Sequence, residues 1–110
     1  LNSALKIIPK KNKIKIINVP GVFEIPVTIS KNLKKFDAFI ALGCVIKGQT
    51  PHFDFICNTV FMSLLNLSTK SKKPIGNGII TALNKSQANK RSSSKGEEAA
   101  NAVLGVIKNG

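Results

Sequence analysis

The apolar run FDAFIALG, Phe36 to Gly43, most narrows what this chain can become. Apart from Asp37 it has no polar position, so it lacks the alternation of a strand with one wet face. A run of this length reads as a strand buried on both faces, and such strands belong to parallel sheets covered by helices on each side. The flanking sequence agrees. From Pro51 to Leu67, residues Phe53, Ile56, Cys57, Val60, Phe61, Leu64, Leu65 and Leu67 recur three and four apart, which predicts a helix with one apolar face. Pro74 precedes IGNGIITAL, a further strand. Upstream, Lys13 to Val19 (KIKIINV) alternates and then turns apolar, which predicts a strand ended by Pro20-Gly21. Phe23 to Leu33 predicts a helix, with Pro26 in its first turn and Lys31 to Lys35 at a basic C-terminus. Ser3 to Ile8 reads as the end of an amphipathic helix stopped near Pro9. The stretch NKSQANKRSSSK, Asn84 to Lys95, is polar and ends in a Ser-rich loop, before an amphipathic helix over Glu97–Lys108. Helices and strands thus alternate along the whole chain. That order implies one α/β domain with a parallel sheet between two layers of helices.

Composition sets the outer limits. The 110 residues suit a single domain with a real core, and 43% are hydrophobic. No apolar stretch approaches the roughly 18 residues that span a bilayer, and the start shows no secretory pattern. The chain opens on Leu1 rather than Met, so upstream residues are expected. Cys44 and Cys57 have neither CxxC nor metal-ligand spacing and read as reduced, buried thiols of a cytoplasmic protein. The net charge of +12 would attract polyanions. Its lysines are scattered, however, and no aromatics interleave with them to stack bases. A solvated basic surface, with no nucleic-acid or membrane partner, is the reading adopted.

In open parallel sheets, ligands bind outside the carboxyl ends of the strands. Three loops stand there: Val19 to Glu24, Gly43 to His52, and Thr81 to Asn84. In the second, Thr50 is placed to cap a helix and Pro51 to occupy its first position. The free N–H groups around Gln49 and Thr50, with Lys47 and Gly48 beside them, would suit an anion such as a phosphate. His52, the one histidine, falls at the positive end of that helix. The helix dipole disfavours the imidazolium, so a neutral ring able to take up and return a proton is expected. Glu24, in a first helical turn, could accept hydrogen bonds from ligand hydroxyls. Arg91, the one arginine, offers a planar fork for phosphate. A second histidine and a Ser-His-Asp set are lacking, so neither a zinc site nor a hydrolytic triad fits.

Four segments in this order, VPGVFEIP (Val19–Pro26), ALGCVIKGQTPHFDF (Ala41–Phe55), GIIT with QANKR (Gly78–Arg91) and KGEEAANAVL (Lys95–Leu104), resemble the lumazine synthase family. The resemblance implies a three-layer α/β/α sandwich of the flavodoxin-like kind with a four-stranded parallel sheet. Its first strand would lie upstream of Leu1, so residues 1–110 would be one domain lacking its N-terminal strand. It also implies the penultimate step of riboflavin synthesis. There 5-amino-6-ribitylaminouracil condenses with 3,4-dihydroxy-2-butanone 4-phosphate to give 6,7-dimethyl-8-ribityllumazine, phosphate and water, with no cofactor or metal. Val22, Phe23 and Glu24 would then hold the pyrimidine, Glu24 on the ribityl chain. Cys44, Val45 and Ile46 would read its edge through their backbone, and Gln49 and Thr50 would bind the phosphate. His52 would transfer protons. Arg91, and with it Lys95, would reach the phosphate, Arg91 from a neighbouring subunit. Asn77 stands where the family carries an aromatic over the heterocycle, which removes a stacking surface. The loop at Ser92–Lys95 is shorter than the family's usual lid. Members assemble as pentamers, sometimes as closed icosahedral shells, and riboflavin synthase is a possible partner.

Overall fold

The computed structural model of the chain describes residues 1–47 and 52–109. Gly48, Gln49, Thr50 and Pro51, with the expected cap and phosphate-binding pair, lie outside the described residues, as does Gly110. Helix α1 spans Asn2–Ile7. A 3₁₀ turn at Val22–Glu24 leads directly into α2, Ile25–Asn32. Strand β1 follows at Phe39–Ile46, then α3 at His52–Ser71, β2 at Ile75–Ala82 and α4 at Lys85–Asn109. The two strands pair in parallel, Phe39 opposite Ile75 through to Ile46 opposite Ala82. The α/β class and the parallel pairing agree with the sequence reading.

Side-chain alternation assigns the layers. Ile25 and Ile29 of α2, Val60 and Leu64 of α3, Ala41 of β1 and Ile79 of β2 form the main buried cluster. The even positions of β2 face the other way: Ile80 and Ala82 are buried with Ala88 of α4. Gly76 and Gly78, also even, lie against Ala99 of α4, and α1 packs against α4, where Gly96 meets Ser3. Helices therefore cover both faces. Lys73 Nζ donates to the carbonyl of Leu33, tying the C-terminal ends of α2 and α3 together at the opposite end of the sheet from the strand carboxyl ends.

Three expectations need correction. Residues 13–19 form no strand. Alternation shows only that one face could be buried; a strand also needs a neighbour for its backbone groups. Among the described residues the sheet consists of β1 and β2 alone, where three strands were expected downstream of Leu1, and Ile14, Ile16 and Ile17 are exposed. Second, Ser92–Lys95 is not a loop: Lys85 onward belongs to the 25-residue helix α4, Ser92 and Lys95 included. Ser92 and Ser94 turn their hydroxyls back onto the carbonyls of Asn89 and Arg91, so they stay in the helix without competing for its N–H groups. Third, the thiols differ: Cys57 is buried, but Cys44 is exposed.

Glycine is required at Gly76. A β-carbon there would lie 2.9 Å from Val103 Cγ2 and closer still to the Ala99 carbonyl, so α4 would have to lift off β2. Gly105, on the same helix, has nothing within 4 Å of such an atom. Gly76→Ala is expected to destabilise by about 1–3 kcal/mol through overpacking. Gly105→Ala should stabilise by about 0.5–1 kcal/mol through reduced chain entropy. Denaturant midpoints of the two variants check the pair; equal shifts would refute the close approach.

Candidate active site

The carboxyl ends of β1 and β2 gather three segments. The first arrives through a packing contact. Val22 covers Gly43 of β1 so closely that a β-carbon on Gly43 would lie 2.6 Å from Val22 Cγ1. The bare strand residue thus lets the 3₁₀ turn sit on the sheet one position before Cys44. Glu24 caps α2 and its carbonyl accepts the Thr28 hydroxyl at 2.9 Å, while its carboxylate folds back toward Gly21. Phe23 is exposed beside it.

The second segment is the end of β1. Cys44 and Ile46 are exposed and Val45 is half-buried. The ladder runs on one residue past the strand, since the Lys47 N–H donates to the Ala82 carbonyl at 2.8 Å. His52 opens α3, which places its backbone at the helix end where the dipole is positive. Five residues along, Cys57 is pushed to a raised pKa, first by burial and then by the Asp54 carboxylate, so it is held as an unreactive thiol.

The third segment is the corner between β2 and α4. Pro74 and Ala82 carbonyls accept from β1, so even positions of β2 face β1 and odd positions face the open edge. Side chains occupy that edge. Arg91 Nη1 donates to the Thr81 carbonyl at 2.7 Å. Gln87 Oε1 accepts the Leu83 N–H at 2.8 Å, and Asn84 Oδ1 accepts the Gln87 N–H at 2.9 Å. Asn77 Oδ1 accepts the Ile79 N–H at 3.0 Å further back along the strand.

A profile described as 6,7-dimethyl-8-ribityllumazine synthase matches residues 1–109. The chain belongs to that family. It is similar to the protein of that name from Buchnera aphidicola subsp. Schizaphis graminum, 46% identical over 103 residues, or 88% of this chain and 65% of that protein. The namesake from Corynebacterium kroppenstedtii is 43% identical over 76 residues, 69% of this chain and 48% of its own length. That from Cutibacterium acnes is 39% identical over 98 residues, 84% of this chain and 59% of its own. The chain thus spans about half to two thirds of the length of these curated relatives.

The residues that the family resemblance singles out divide in two. Val22, Phe23, Glu24, Cys44, Val45, Ile46 and Arg91 stand at or beside the strand carboxyl ends, and His52 starts the helix that follows β1. Asn77 and Lys95 stand apart. Asn77 lies five residues before the end of β2, about 16 Å at the rise of a strand, with its side-chain oxygen bonded to its own edge. Lys95 is one turn beyond Arg91, away from the corner, and lies 3.7 Å from Glu98. Among the described residues no cluster of His, Cys, Asp and Glu could hold a metal. Asn84 and Gln87 went unremarked in the sequence, although Asn-x-x-Gln ahead of a helix is itself a capping signature.

The two cysteines give a direct check. Cys44 should be alkylated in the native protein and Cys57 only after unfolding, as peptide mapping after a timed iodoacetamide pulse would reveal. Equal labelling, or Cys57 first, would contradict the burial assigned to α3.

Proposed function

We propose that the protein condenses 5-amino-6-ribitylaminouracil with 3,4-dihydroxy-2-butanone 4-phosphate, giving 6,7-dimethyl-8-ribityllumazine and phosphate. The observation that carries the reading is the family match along residues 1–109; the position of Val22–Glu24, Cys44–Ile46 and Arg91 at or beside the strand carboxyl ends supports it. Of these, Val22–Glu24 would hold the pyrimidine, with the Glu24 carboxylate accepting from the ribityl hydroxyls, and the backbone at Cys44–Ile46 would read the ring edge. Gln49 and Thr50 would bind the phosphate together with Arg91 of a neighbouring subunit. An amine attacks the ketone and water leaves as the imine forms; phosphate departs by elimination, and the second amine closes the ring with loss of water. Neither redox change nor external acid is needed overall, so most of the advantage comes from holding two substrates in register, which can contribute up to roughly 7–11 kcal/mol.

His52 would carry the protons. It opens α3, directly after the strand end that would read the pyrimidine, and imidazole is the side chain suited to taking up and returning a proton near neutral pH. The family reading extends to a four-stranded flavodoxin-like sheet and a pentamer. Two features favour neighbours. Arg91 lies along the open edge of β2, and Phe55, Met62 and Leu65 form an exposed apolar stripe on α3 opposite its buried Val60 and Leu64. Asn77 and Lys95 would serve only a neighbour's site.

Mixing both substrates with the full-length protein should give stoichiometric lumazine absorbance and inorganic phosphate, with a native mass of a multiple of five protomers. Neither product forming would defeat the assignment. His52→Ala should lower kcat by about 10²-fold while leaving both KM values near the parent's, because positioning survives the loss of the proton carrier. An undiminished kcat would remove His52 from the chemistry.

A further inference from the structure

Gln87 has no role in the site described so far, yet it holds the corner from which Arg91 projects. Only Leu83 and Asn84 connect β2 to α4. Four hydrogen bonds lock that short turn. Asn84 caps the helix twice, its carbonyl accepting the Ala88 N–H at 3.1 Å and its side-chain oxygen the Gln87 N–H at 2.9 Å. Gln87 then reaches back, its amide oxygen accepting the Leu83 N–H at 2.8 Å. Leu83 is the next odd position after Thr81, whose carbonyl takes Arg91 Nη1 at 2.7 Å. Gln87 and Arg91 are four residues apart on α4, hence neighbours on one helical face, and both grip the same open edge of β2.

This geometry has a chemical consequence for Arg91. A guanidinium has five N–H donors in a rigid plane and no acceptor. One nitrogen engaged by the Thr81 carbonyl fixes the plane, and the remaining donors stay available as a preset fork. The fork keeps its place only if α4 cannot slide or turn relative to β2 in its first two turns. Ala88 is the one buried apolar anchor there; residues 89–94 are all exposed. The Gln87–Leu83 bond supplies the missing constraint.

We infer that Gln87 is a positioning residue: through its bond to the Leu83 N–H it fixes the first turns of α4 and so presents the Arg91 fork to the phosphate of the butanone substrate. The inference rests on the proposed function, in which Arg91 contacts that phosphate. Gln87 touches no substrate, so it sets how well the phosphate is held rather than how fast bonds change.

The test is steady-state kinetics on the full-length protein with each substrate varied in turn. Gln87→Met keeps length and helix propensity but removes the amide oxygen. It should raise KM for the butanone phosphate about tenfold, the scale of one lost hydrogen bond, and leave KM for the pyrimidine and kcat within about twofold. Gln87→Glu retains an acceptor for the Leu83 N–H and should restore the parent KM. Added to Arg91→Ala, Gln87→Met should raise that KM no further, since it acts through the arginine. An unchanged butanone KM in Gln87→Met, an equal rise in both KM values, a Gln87→Glu variant as impaired as Gln87→Met, or full additivity with Arg91→Ala would each overturn the inference. Arg91→Ala separates the two layers: an unchanged butanone KM there refutes the phosphate contact itself, whereas a raised KM beside an inert Gln87→Met refutes only the strut. Should Gln87→Met fail to fold, Gln87→Ala read by the same double-variant comparison decides the matter.

Discussion

The rest of the structure depends on how closely α4 lies on β2. Gly76 and Gly78 present bare backbone where Ala99 comes down, and Ala88, Ala100 and Val103 extend the same small-residue seam. Larger side chains would hold the helix higher, as sheet–helix packing normally does. Flush contact has two effects. It excludes water along a helix whose exposed positions from Lys85 to Asn101 are all polar, so burial rather than propensity keeps 25 residues helical. It also brings the first turns of α4 level with the end of β2, within reach of the Thr81 carbonyl and the Leu83 N–H.

The same seam explains what the sequence revealed and what it hid. FDAFIALG and IGNGIITAL were legible because large apolar residues in short runs have few alternatives; both became strands, the first shifted three residues downstream to Phe39–Ile46. Long apolar side chains at three-and-four spacing made α3 equally plain. The first half of α4 was not legible, because its inward residues are alanine and glycine, which carry little hydropathy, and its serines usually mark loops. Their meaning lies in the partner surface, the glycines of β2, and that pairing is tertiary. KIKIINV failed for the opposite reason. Its pattern is strong, but a ladder needs a second strand, and the described residues provide none beside it.

For the site, legibility followed the backbone rather than the side chains. Val22 over Gly43, and the Cys44–Ile46 strand end, lie where the rule of strand carboxyl ends puts them. Asn77 is the instructive case. As a resemblance it marked a lost aromatic; in the fold its amide bonds the edge of its own strand at the Ile79 N–H. Together with Arg91 and Gln87 it occupies groups that an incoming strand would otherwise pair with, which protects an open edge against unwanted association.

Why one arginine among sixteen lysines should stand at that corner follows from what the corner asks of a cation. It must satisfy an edge carbonyl and still face outward with directed donors. A lysine ammonium is a compact charge on a flexible stem; bonding the Thr81 carbonyl would draw the whole charge to the strand and leave little geometry for anything else. A guanidinium divides the two tasks between opposite sides of one plane. In the proposed site the bond to Thr81 would therefore not compete with an anion for Arg91 but orient it, and the cost in side-chain entropy would be met in the fold before any ligand arrives. On this account Arg91→Lys would retain the charge and lose the orientation, and the corner would attract phosphate without placing it.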